Sequence, residues 1–364
     1  MEPQINAASP SRIAVAMSGG MDSSVAAALL VEQGHEVIGL TAHMWSDGSK
    51  CCSAEDIKQA QQVASHLGIR HFVLNVDDKF EREVVAPFVA EYLRGRTPSP
   101  CVLCNQKIKF GVLLDRAIEL DCAGLATGHY ARVEAINGAY HLYAAKDKTR
   151  DQSYFLHRLS QRQLAHCVFP LASLTKRGDV VAHARRKALP LSSRGESQNL
   201  CFVADDDYGS FVEAHSPVPP REGPIINSRG EKLGTHKGIH LYTVGQRKGL
   251  GIQSAEPLYV TALDAEANTV RVGSRDETAA GSCLVRDVFW ISGTPPASSA
   301  TCQVRIRYRH EGASADLRLD SDGSVEVHFR EPQFAITPGQ AAVFYDGDEV
   351  LGGGWIMDYL PQRH

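Results

Sequence analysis

A glycine- and serine-rich segment near the start of the chain has the composition of a phosphate-binding turn. Residues 18–24 read Ser-Gly-Gly-Met-Asp-Ser-Ser and follow directly on the apolar run at 13–17. Glycines let backbone N–H groups approach a polyphosphate, serine hydroxyls add donors, and a following helix presents its positive end to the anion. The segment has neither the Gly-Lys-Ser/Thr of a Walker loop nor the spacing of a dinucleotide fingerprint. It predicts a phosphate site of another class.

Three cysteines could carry out sulfur or metal chemistry. Cys101 and Cys104 form a Cys-x-x-Cys pair in a proline-stiffened loop, 97–105, which leads into a helix with Lys107 and Lys109. A cysteine near a helix start, with lysines close by, is expected to exist partly as thiolate, the form that attacks and binds metals. Cys201 lies in a second segment, 196–202, which reads Glu-Ser-Gln-Asn-Leu-Cys-Phe.

The other six of the nine cysteines carry weaker signals. Cys51 and Cys52 are adjacent, and adjacent cysteines rarely pair because the geometry is strained, so we expect loop or buried thiols. An odd number of cysteines in a reducing compartment favours reactive or metal-binding roles over structural disulfides. Four others stand in apolar settings and are predicted to be core residues: Cys122, Cys167, Cys283 and Cys302.

The elements that must position these residues change in character along the chain. The first half alternates strands and helices, which implies a doubly wound parallel sheet with ligands beyond the carboxyl ends of its strands. Its strands are predicted at 12–17, 35–41, 71–75 and 124–127, and its helices at 22–33, 54–67, 80–95 and 108–120. From about residue 206, short β runs between turn residues predict two small barrels. These runs are 239–244, 258–263, 269–272, 302–309, 314–319, 324–329, 340–345 and 349–356.

The whole chain of 364 residues is therefore an α/β domain followed by two mostly β domains. We expect a disordered tail at 1–11, a catalytic domain with a helical part at 12–205, a central β domain at 206–278 and a C-terminal β-barrel domain at 279–364. No apolar run approaches the roughly 18 residues of a membrane span. Residues 1–11 contain no Lys, no Arg and no apolar stretch, so we expect a cytoplasmic protein with no membrane partner.

The charge pattern gives no whole-chain signal for nucleic acid, because the formal net charge is −4. Any RNA would have to be held by local basic patches. Taken alone, each patch favours a solvated face over an RNA site. One patch is Lys176, Arg177, Arg185, Arg186 and Lys187, and the other is Arg305, Arg307 and Arg309 around Tyr308.

The phosphate-binding turn resembles the PP-loop of the ATP pyrophosphatases, which cleave ATP between its α and β phosphates and leave AMP on a substrate oxygen. Further motifs follow in order, and together they are similar to those of the tRNA-specific 2-thiouridylases over residues 12–357. Besides the cysteine segments, these motifs are Thr-Gly-His-Tyr-Ala at 127–131, Asp-Gln-Ser-Tyr-Phe at 151–155, His-Lys-Gly at 236–238, Tyr-Thr-Val-Gly-Gln-Arg-Lys-Gly at 242–249 and Thr-Pro-Gly-Gln at 337–340.

This resemblance implies an enzyme that binds tRNA with its wobble uridine, position 34, flipped into the active site. ATP adenylates the C2 carbonyl oxygen, and sulfur held as a persulfide on Cys201 then attacks C2 and displaces AMP. Cys104 occupies the position of the family's nucleophile, which assists sulfur release and closes a disulfide with Cys201. The implied partners are tRNAs of the Lys, Glu and Gln type and a sulfur-carrier protein or cysteine desulfurase relay.

The resemblance also assigns binding residues. Those expected to bind ATP are Ala16, Met17, Ser18, Gly19, Gly20, Met21, Asp22, Ser23, Ala42 and Gly128. Asp22 could in addition hold Mg²⁺ against the phosphates. The target base is expected to meet Ser99, Pro100 and Cys101. Contacts with the rest of the tRNA are expected from His129, Arg150, Asp151, Gln152, Arg307, Tyr308 and Gln340.

One departure from the family pattern leaves two sulfur routes open. Many members have an acidic residue where this chain has Cys101. Three thiolates, Cys101, Cys104 and Cys201, could instead hold a [4Fe–4S] cluster with one iron open to sulfide or substrate. The family resemblance favours the persulfide route. The other alternative is that the cysteine at position 101 has no role in the reaction.

Other functions are weaker matches to the residues. A synthetase that adenylates a small molecule would keep the PP-loop but would not need the two cysteine segments or a β-rich second half. Thiolation at another tRNA position lacks its usual RNA-capture domain here. A non-catalytic RNA-binding or iron–sulfur protein would not need a loop that binds pyrophosphate. The sulfur donor, the preferred tRNA and the oligomeric state are left open.

Overall fold

The computed structural model describes residues 10–44, 54–192, 200–203, 207–296 and 299–361. Its strands are β1 (Arg12–Ala16), β2 (Glu36–His43), β3 (Arg70–Asn75), β4 (Gly124–Ala126), β5 (Ala131–Ile136), β6 (Ala139–Ala144), β7 (Cys167–Val168), β8 (Gly223–Ile226), β9 (Lys232–His236), β10 (Tyr259–Asp264), β11 (Thr269–Gly273), β12 (Ala279–Trp290), β13 (Ser299–Arg305), β14 (Ala313–Leu319), β15 (Val325–Phe334), β16 (Ala341–Asp346) and β17 (Glu349–Pro361).

Several helices contain wide π turns, and three of them continue through more than one segment. They are α1 (Met21–Glu32), α2 (Ala54–His66), α3 (Asp77–Phe80, Glu81–Val85 and Ala86–Leu93), α4 (Pro100–Leu103, Cys104–Leu113 and Leu114–Glu119), α5 (Gln161–Ala165), α6 (Lys176–Val180 and Val181–Arg186) and α7 (Tyr208–His215). Short 3₁₀ turns occur at Ser153–Leu156, Ile239–Leu241 and Asp276–Thr278.

The first half contains the predicted parallel sheet, with strands in the order β3-β2-β1-β4-β7. Central β1 pairs in parallel with β2 and β4, so that Ile13 lies opposite both Val37 and Gly124. Ile13 and Val15 pack into one hydrophobic cluster, whereas Ala14 between them packs into another. A strand buried on both faces needs a continuous apolar run, and this explains the sequence of residues 13–17.

The central β domain is a four-stranded sheet in the order β10-β11-β8-β9. The strand predicted at 239–244 was wrong, because Ile239–Leu241 forms a 3₁₀ turn instead. Ile239 and Tyr242 still enter the hydrophobic core of this domain. Periodicity cannot separate a strand from another buried segment in so short an apolar run.

The last part of the chain is a closed barrel. Strands β12, β15, β14, β13, β16 and β17 pair in that order, and β12 also pairs with β17, which closes the ring. The hairpin of β5 and β6 joins this sheet from the first half, with Val350 of β17 opposite Leu142 of β6. The hairpin turns at Asn137 and Gly138, both with positive φ. Such an Asn-Gly turn is favoured between antiparallel strands.

Two observations complete the architecture. In the part of the chain that the structure describes, we find no helix with the length and apolarity that a membrane span requires. The predicted tail at 1–11 lies outside the described residues except for its last two positions, and the Cys51-Cys52 pair lies outside them entirely.

Candidate active site

The phosphate-binding turn connects the carboxyl end of β1 to the start of α1. Gly19 has φ of +75°, and a Cβ built there would lie 2.6 Å from the carbonyl oxygen of Asp56 on α2. Only glycine suits that backbone and that close approach. The Ser23 hydroxyl accepts a hydrogen bond from the Ser18 N–H at 3.2 Å and donates to the Gly20 carbonyl at 3.0 Å. The turn is therefore fixed by its own side chains in front of the helix N-terminus.

Gly128, just after β4, packs directly against this turn. A Cβ at Gly128 would lie 2.7 Å from both the carbonyl carbon of Asp22 and the amide nitrogen of Ser23. Adjacent parallel strands β1 and β4 bring the two segments together at one sheet edge. The absence of a side chain at position 128 is thus required by the first turn of α1.

Asp22 on α1 forms an ion pair with a buried lysine that the sequence pattern predicted to be exposed to solvent. Lys176 Nζ lies 2.7 Å from Asp22 Oδ1, and the Lys176 side chain is only 7% exposed. The Tyr130 hydroxyl donates to the same oxygen at 2.8 Å. The sequence placed Lys176 in a solvated basic patch, but the structure puts its charge beside the phosphate-binding turn. The sequence spacing of 154 residues between Lys176 and Asp22 gave no signal of this contact.

The Cys-x-x-Cys pair lies within a helix, not in a loop as predicted. Helix α4 begins at Pro100, a residue favoured at the first helical position, so Cys101 and Cys104 occupy its first turns. The Cys104 side chain is buried and joins the main hydrophobic cluster. The predicted helix at 108–120 is the later part of the same element.

Cys201 follows a gap in the described residues and is anchored by its neighbour. The ring of Phe202 packs edge-on against Phe88 at 5.1 Å and against Phe80 at 5.6 Å between ring centroids. Residues 193–199, which include Glu196, Ser197 and Gln198 of this motif, lie outside the described residues. Leu200 and Cys201 themselves line the cavity that the phosphate-binding turn faces.

This cavity of about 1950 Å³ unites nearly all the residues singled out from the sequence. Its walls include the predicted ATP-binding residues Ala16, Met17, Ser18, Gly19, Gly20, Met21, Asp22, Ser23, Ala42 and Gly128. They also include Ser99, Pro100, Cys101, Cys104, Cys201, His129, Arg150, Asp151, Gln152, Tyr308 and Gln340. Arg307 does not line it, and its guanidinium instead donates to the Phe334 carbonyl at 3.2 Å.

The basic segment around Tyr308 is joined to the first half of the chain. Arg305 Nη1 lies 2.7 Å from Asp151 Oδ2, and the Asp151 side chain is only 1% exposed. The same Asp151 carboxylate accepts hydrogen bonds from the amide and hydroxyl of Ser153. The Tyr308 ring packs on Phe155 with centroids 4.5 Å apart. Arg305 and Asp151 thus bind each other inside the protein, while Tyr308 faces the cavity.

His129 is a buried neutral side chain. Burial and the neighbouring Lys109 ammonium hold the pKa of His129 well below its usual range. Lys109 Nζ lies 3.4 Å from His129 Nε2, and the Thr127 hydroxyl lies 2.7 Å from His129 Nδ1. The histidine therefore links the cysteine helix to the segment that carries Gly128.

Comparisons with known proteins agree with this arrangement. Residues 11–205 match the family described as tRNA methyl transferase HUP domain, 209–274 its PRC-barrel domain, and 280–356 the aminomethyltransferase beta-barrel domain. The tRNA-specific 2-thiouridylase MnmA of Geobacter metallireducens is 48% identical, with 95% of this chain and 96% of that protein covered. The protein of that name from Magnetococcus marinus is 46% identical, with 96% of this chain and 99% of the relative covered.

The chain belongs to the tRNA-specific 2-thiouridylase family. The predicted resemblance is confirmed, and so is the fold class of a parallel α/β sheet followed by two β domains. Of the six remaining cysteines, the four predicted to be core residues join hydrophobic clusters. Burial raises the pKa of each of these four thiols: Cys122, Cys167, Cys283 and Cys302.

Two inorganic groups, a [4Fe–4S] cluster and Mg²⁺, were considered for this site from the sequence. Among the described residues, no three His, Cys, Asp or Glu side chains are grouped to hold a single metal ion. The [4Fe–4S] cluster on Cys101, Cys104 and Cys201 stays a prediction. Mg²⁺ on a nucleotide needs only one or two carboxylates besides phosphate oxygens. Asp22 at the phosphate-binding turn is a carboxylate of that kind, and it shares its Oδ1 with Lys176 and Tyr130.

Proposed function

We propose that this protein catalyses ATP-dependent 2-thiolation of uridine at position 34 of tRNA in the cytoplasm. The observation that supports this most directly is the shared cavity, whose walls include the phosphate-binding turn and the cysteines Cys101, Cys104 and Cys201. An activated base and a sulfur nucleophile must meet within about 3–3.5 Å, and a common cavity makes that meeting possible. The names of the curated relatives support the same reaction.

In the first step, the C2 oxygen of the uridine attacks the α phosphorus of ATP and pyrophosphate leaves. Negative charge on the departing phosphates is stabilised by the N-terminus of α1 and by Lys176, whose ammonium lies beside the turn. Asp22 would hold Mg²⁺, which supplies further charge neutralisation when it is bound. A carbonyl oxygen is a poor leaving group, and adenylation converts it into AMP, which leaves readily.

In the second step, sulfur passes from Cys201 to the base. A sulfur-carrier protein or a cysteine desulfurase relay supplies the outer sulfur of a Cys201 persulfide. That sulfur bonds to C2, the C2–O bond breaks and AMP leaves with the electron pair. The Cys104 thiolate then attacks Cys201 Sγ, which releases the 2-thiouridine sulfur and forms a Cys104–Cys201 disulfide. A thiol reductant must reduce this disulfide before the next turnover.

The tRNA would reach this cavity through residues on its rim. Ser99, Pro100 and Cys101 would meet the flipped base. Tyr308 offers an aromatic ring for stacking, and Arg150 offers a charge for phosphate. Further contacts with the tRNA are proposed for His129, Asp151 and Gln152, which line the cavity, and for Arg307, which lies outside it. Transfer RNAs of the Lys, Glu and Gln type are the expected substrates.

Pyrophosphate release in the presence and absence of tRNA tests this function. We expect release that depends on both ATP and an unmodified substrate tRNA, because the base itself is adenylated. Release without tRNA but with a small-molecule acceptor would instead favour a synthetase. Methyl transfer, mentioned in the descriptions of two matching family models, requires no pyrophosphate release, so tRNA-dependent release also excludes that reaction as the main activity.

A further inference from the structure

The segment just before the cysteine helix is held by the C-terminal barrel. The Thr97 amide donates to the Pro338 carbonyl at 2.9 Å. The side-chain amide of Gln340 donates to the Thr97 carbonyl at 2.8 Å and to the Pro98 carbonyl at 3.3 Å. One barrel side chain thus binds two consecutive carbonyls of the first domain. Helix α4 starts only two residues later, at Pro100.

The close approach of the barrel depends on a glycine. Gly339 has φ of +91°, and a Cβ there would lie 3.0 Å from Arg96 Cβ and from the N and C atoms of Thr97. The next residue, Gln340, is itself fixed in the barrel, since its carbonyl accepts from the Ile356 amide at 2.9 Å. The Pro-Gly-Gln part of the motif at 337–340 therefore builds a rigid contact with the segment 96–98.

The central β domain also binds this segment. The Thr97 hydroxyl donates to the Thr243 hydroxyl at 3.0 Å. Thr243 is held in place because its amide donates to the Gln246 side-chain carbonyl at 3.0 Å. Gly95, with φ of +70°, allows Leu263 of this domain to approach closely. The motif at 242–249 thus contributes to the same junction.

We propose that Gln340 and Thr243 are positioning residues that fix Cys101 and Cys104 through the segment 97–98. Pro98 and Pro100 have restricted φ angles, so a displacement at 97–98 passes with little loss into the first turn of α4. A shift of about 1 Å in a reacting group can cost about a hundredfold in rate. The importance of this placement for turnover rests on the proposed thiolation function, whereas the placement itself does not.

This role differs from a direct contact between Gln340 and tRNA. A residue that only contacts tRNA influences the enzyme when tRNA is present. A residue that positions the cysteine helix changes the accessibility of its thiols in the tRNA-free enzyme. Thr243 was assigned no tRNA contact, so a shared effect of Thr243 and Gln340 would point to the junction.

The experiment measures iodoacetamide modification of Cys101 and Cys104 in the full chain without tRNA, resolved by peptide mass spectrometry. We expect Gln340→Ala and Thr243→Val each to increase the modification rate of buried Cys104 by about tenfold, because the first removes two junction hydrogen bonds and the second removes one. Thr243→Ser keeps the hydroxyl and should retain the native rate. Gln303→Ala is the matched control, since Gln303 is exposed on the same barrel and bonds to Ser314.

Steady-state thiolation then provides a second readout. We expect Gln340→Ala and Thr243→Val to lower kcat by tenfold or more while the KM for tRNA changes less than threefold. The proposal would be overturned if Gln340→Ala left the rate of thiol modification unchanged but raised the Kd for tRNA. Gln340 would then act through a direct contact with tRNA. If Gln340→Ala fails to fold, the rate of Cys104 modification in Thr243→Val tests the proposal by itself. If the wild type does not thiolate tRNA, the modification rates still test the junction, and the proposed function fails separately.

Discussion

Substitution of Gly128 by alanine tests the close contact between the segment after β4 and the phosphate-binding turn. The added Cβ would lie 2.7 Å from two backbone atoms of Asp22 and Ser23 and 2.9 Å from Asp22 Cβ. Backbone atoms cannot rotate away, so the first turn of α1 must shift. Overpacking of this kind costs about 1–3 kcal/mol. The free protein can relieve this strain by shifting the turn, whereas ATP binding requires the native turn, so the cost falls on binding. At about 1.4 kcal/mol for each factor of ten, we expect the Kd for ATP to rise by about five- to a hundredfold.

Equilibrium binding of ATP to the two proteins measures this effect. Gly281→Ala is a suitable control, because a Cβ at Gly281 meets nothing within 4 Å. The control should bind ATP as the wild type does and should show the same Tm. If Gly128→Ala binds ATP within twofold of the wild type, the turn does not need this contact and the assignment of Gly128 to the nucleotide site is refuted.

Three further predictions follow from the site and its junctions. Cys104→Ser and Cys201→Ser should each abolish thiolation while the tRNA Kd, measured by filter binding, stays within a few-fold. Arg305→Met should lower the free energy of unfolding in denaturant titration by about 3–5 kcal/mol, because it leaves the buried Asp151 carboxylate without its ion pair. The affinity for tRNA should fall steeply with salt despite the net charge of −4, because phosphate contacts release counterions.

Each of these has a clear contrary result. Near-native turnover in either cysteine variant would remove that residue from the mechanism. A loss below about 1 kcal/mol for Arg305→Met, the size typical of exposed pairs, would mean that the pair with Asp151 contributes little to stability. A flat salt profile would mean that the local basic residues do not touch the tRNA backbone.

The sequence predicted the parallel sheet well because its inner strands, β1, β2 and β4, are mostly buried. Residues 13–17 form a continuous apolar run, and the strand β1 that contains most of them lies at the centre of the sheet. The hairpin of β5 and β6 was missed, although the Asn137-Gly138 turn was a usable signal. Its pairing with β17 could not have been foreseen, because long-range strand pairing leaves no local pattern.

The candidate site shows the same division between local and long-range information. The phosphate-binding turn and the cysteine pair are local motifs, so they could be recognised from the types and spacing of their residues. Lys176 was placed in a solvated patch because its neighbours in sequence are basic, and only the fold brings it to Asp22. Arg305 was likewise grouped with a basic run, but it binds Asp151 inside the protein.

Mass spectrometry of the nucleoside at the wobble position tests the central claim most directly. The purified protein would be incubated with ATP, an unmodified Lys-type tRNA and a sulfur source in which sulfur is isotopically labelled. We predict one labelled sulfur atom in 2-thiouridine at position 34, formed only when ATP is present and Cys201 is intact. Labelled sulfur at another tRNA position, or at none under conditions that support pyrophosphate release, would contradict the account.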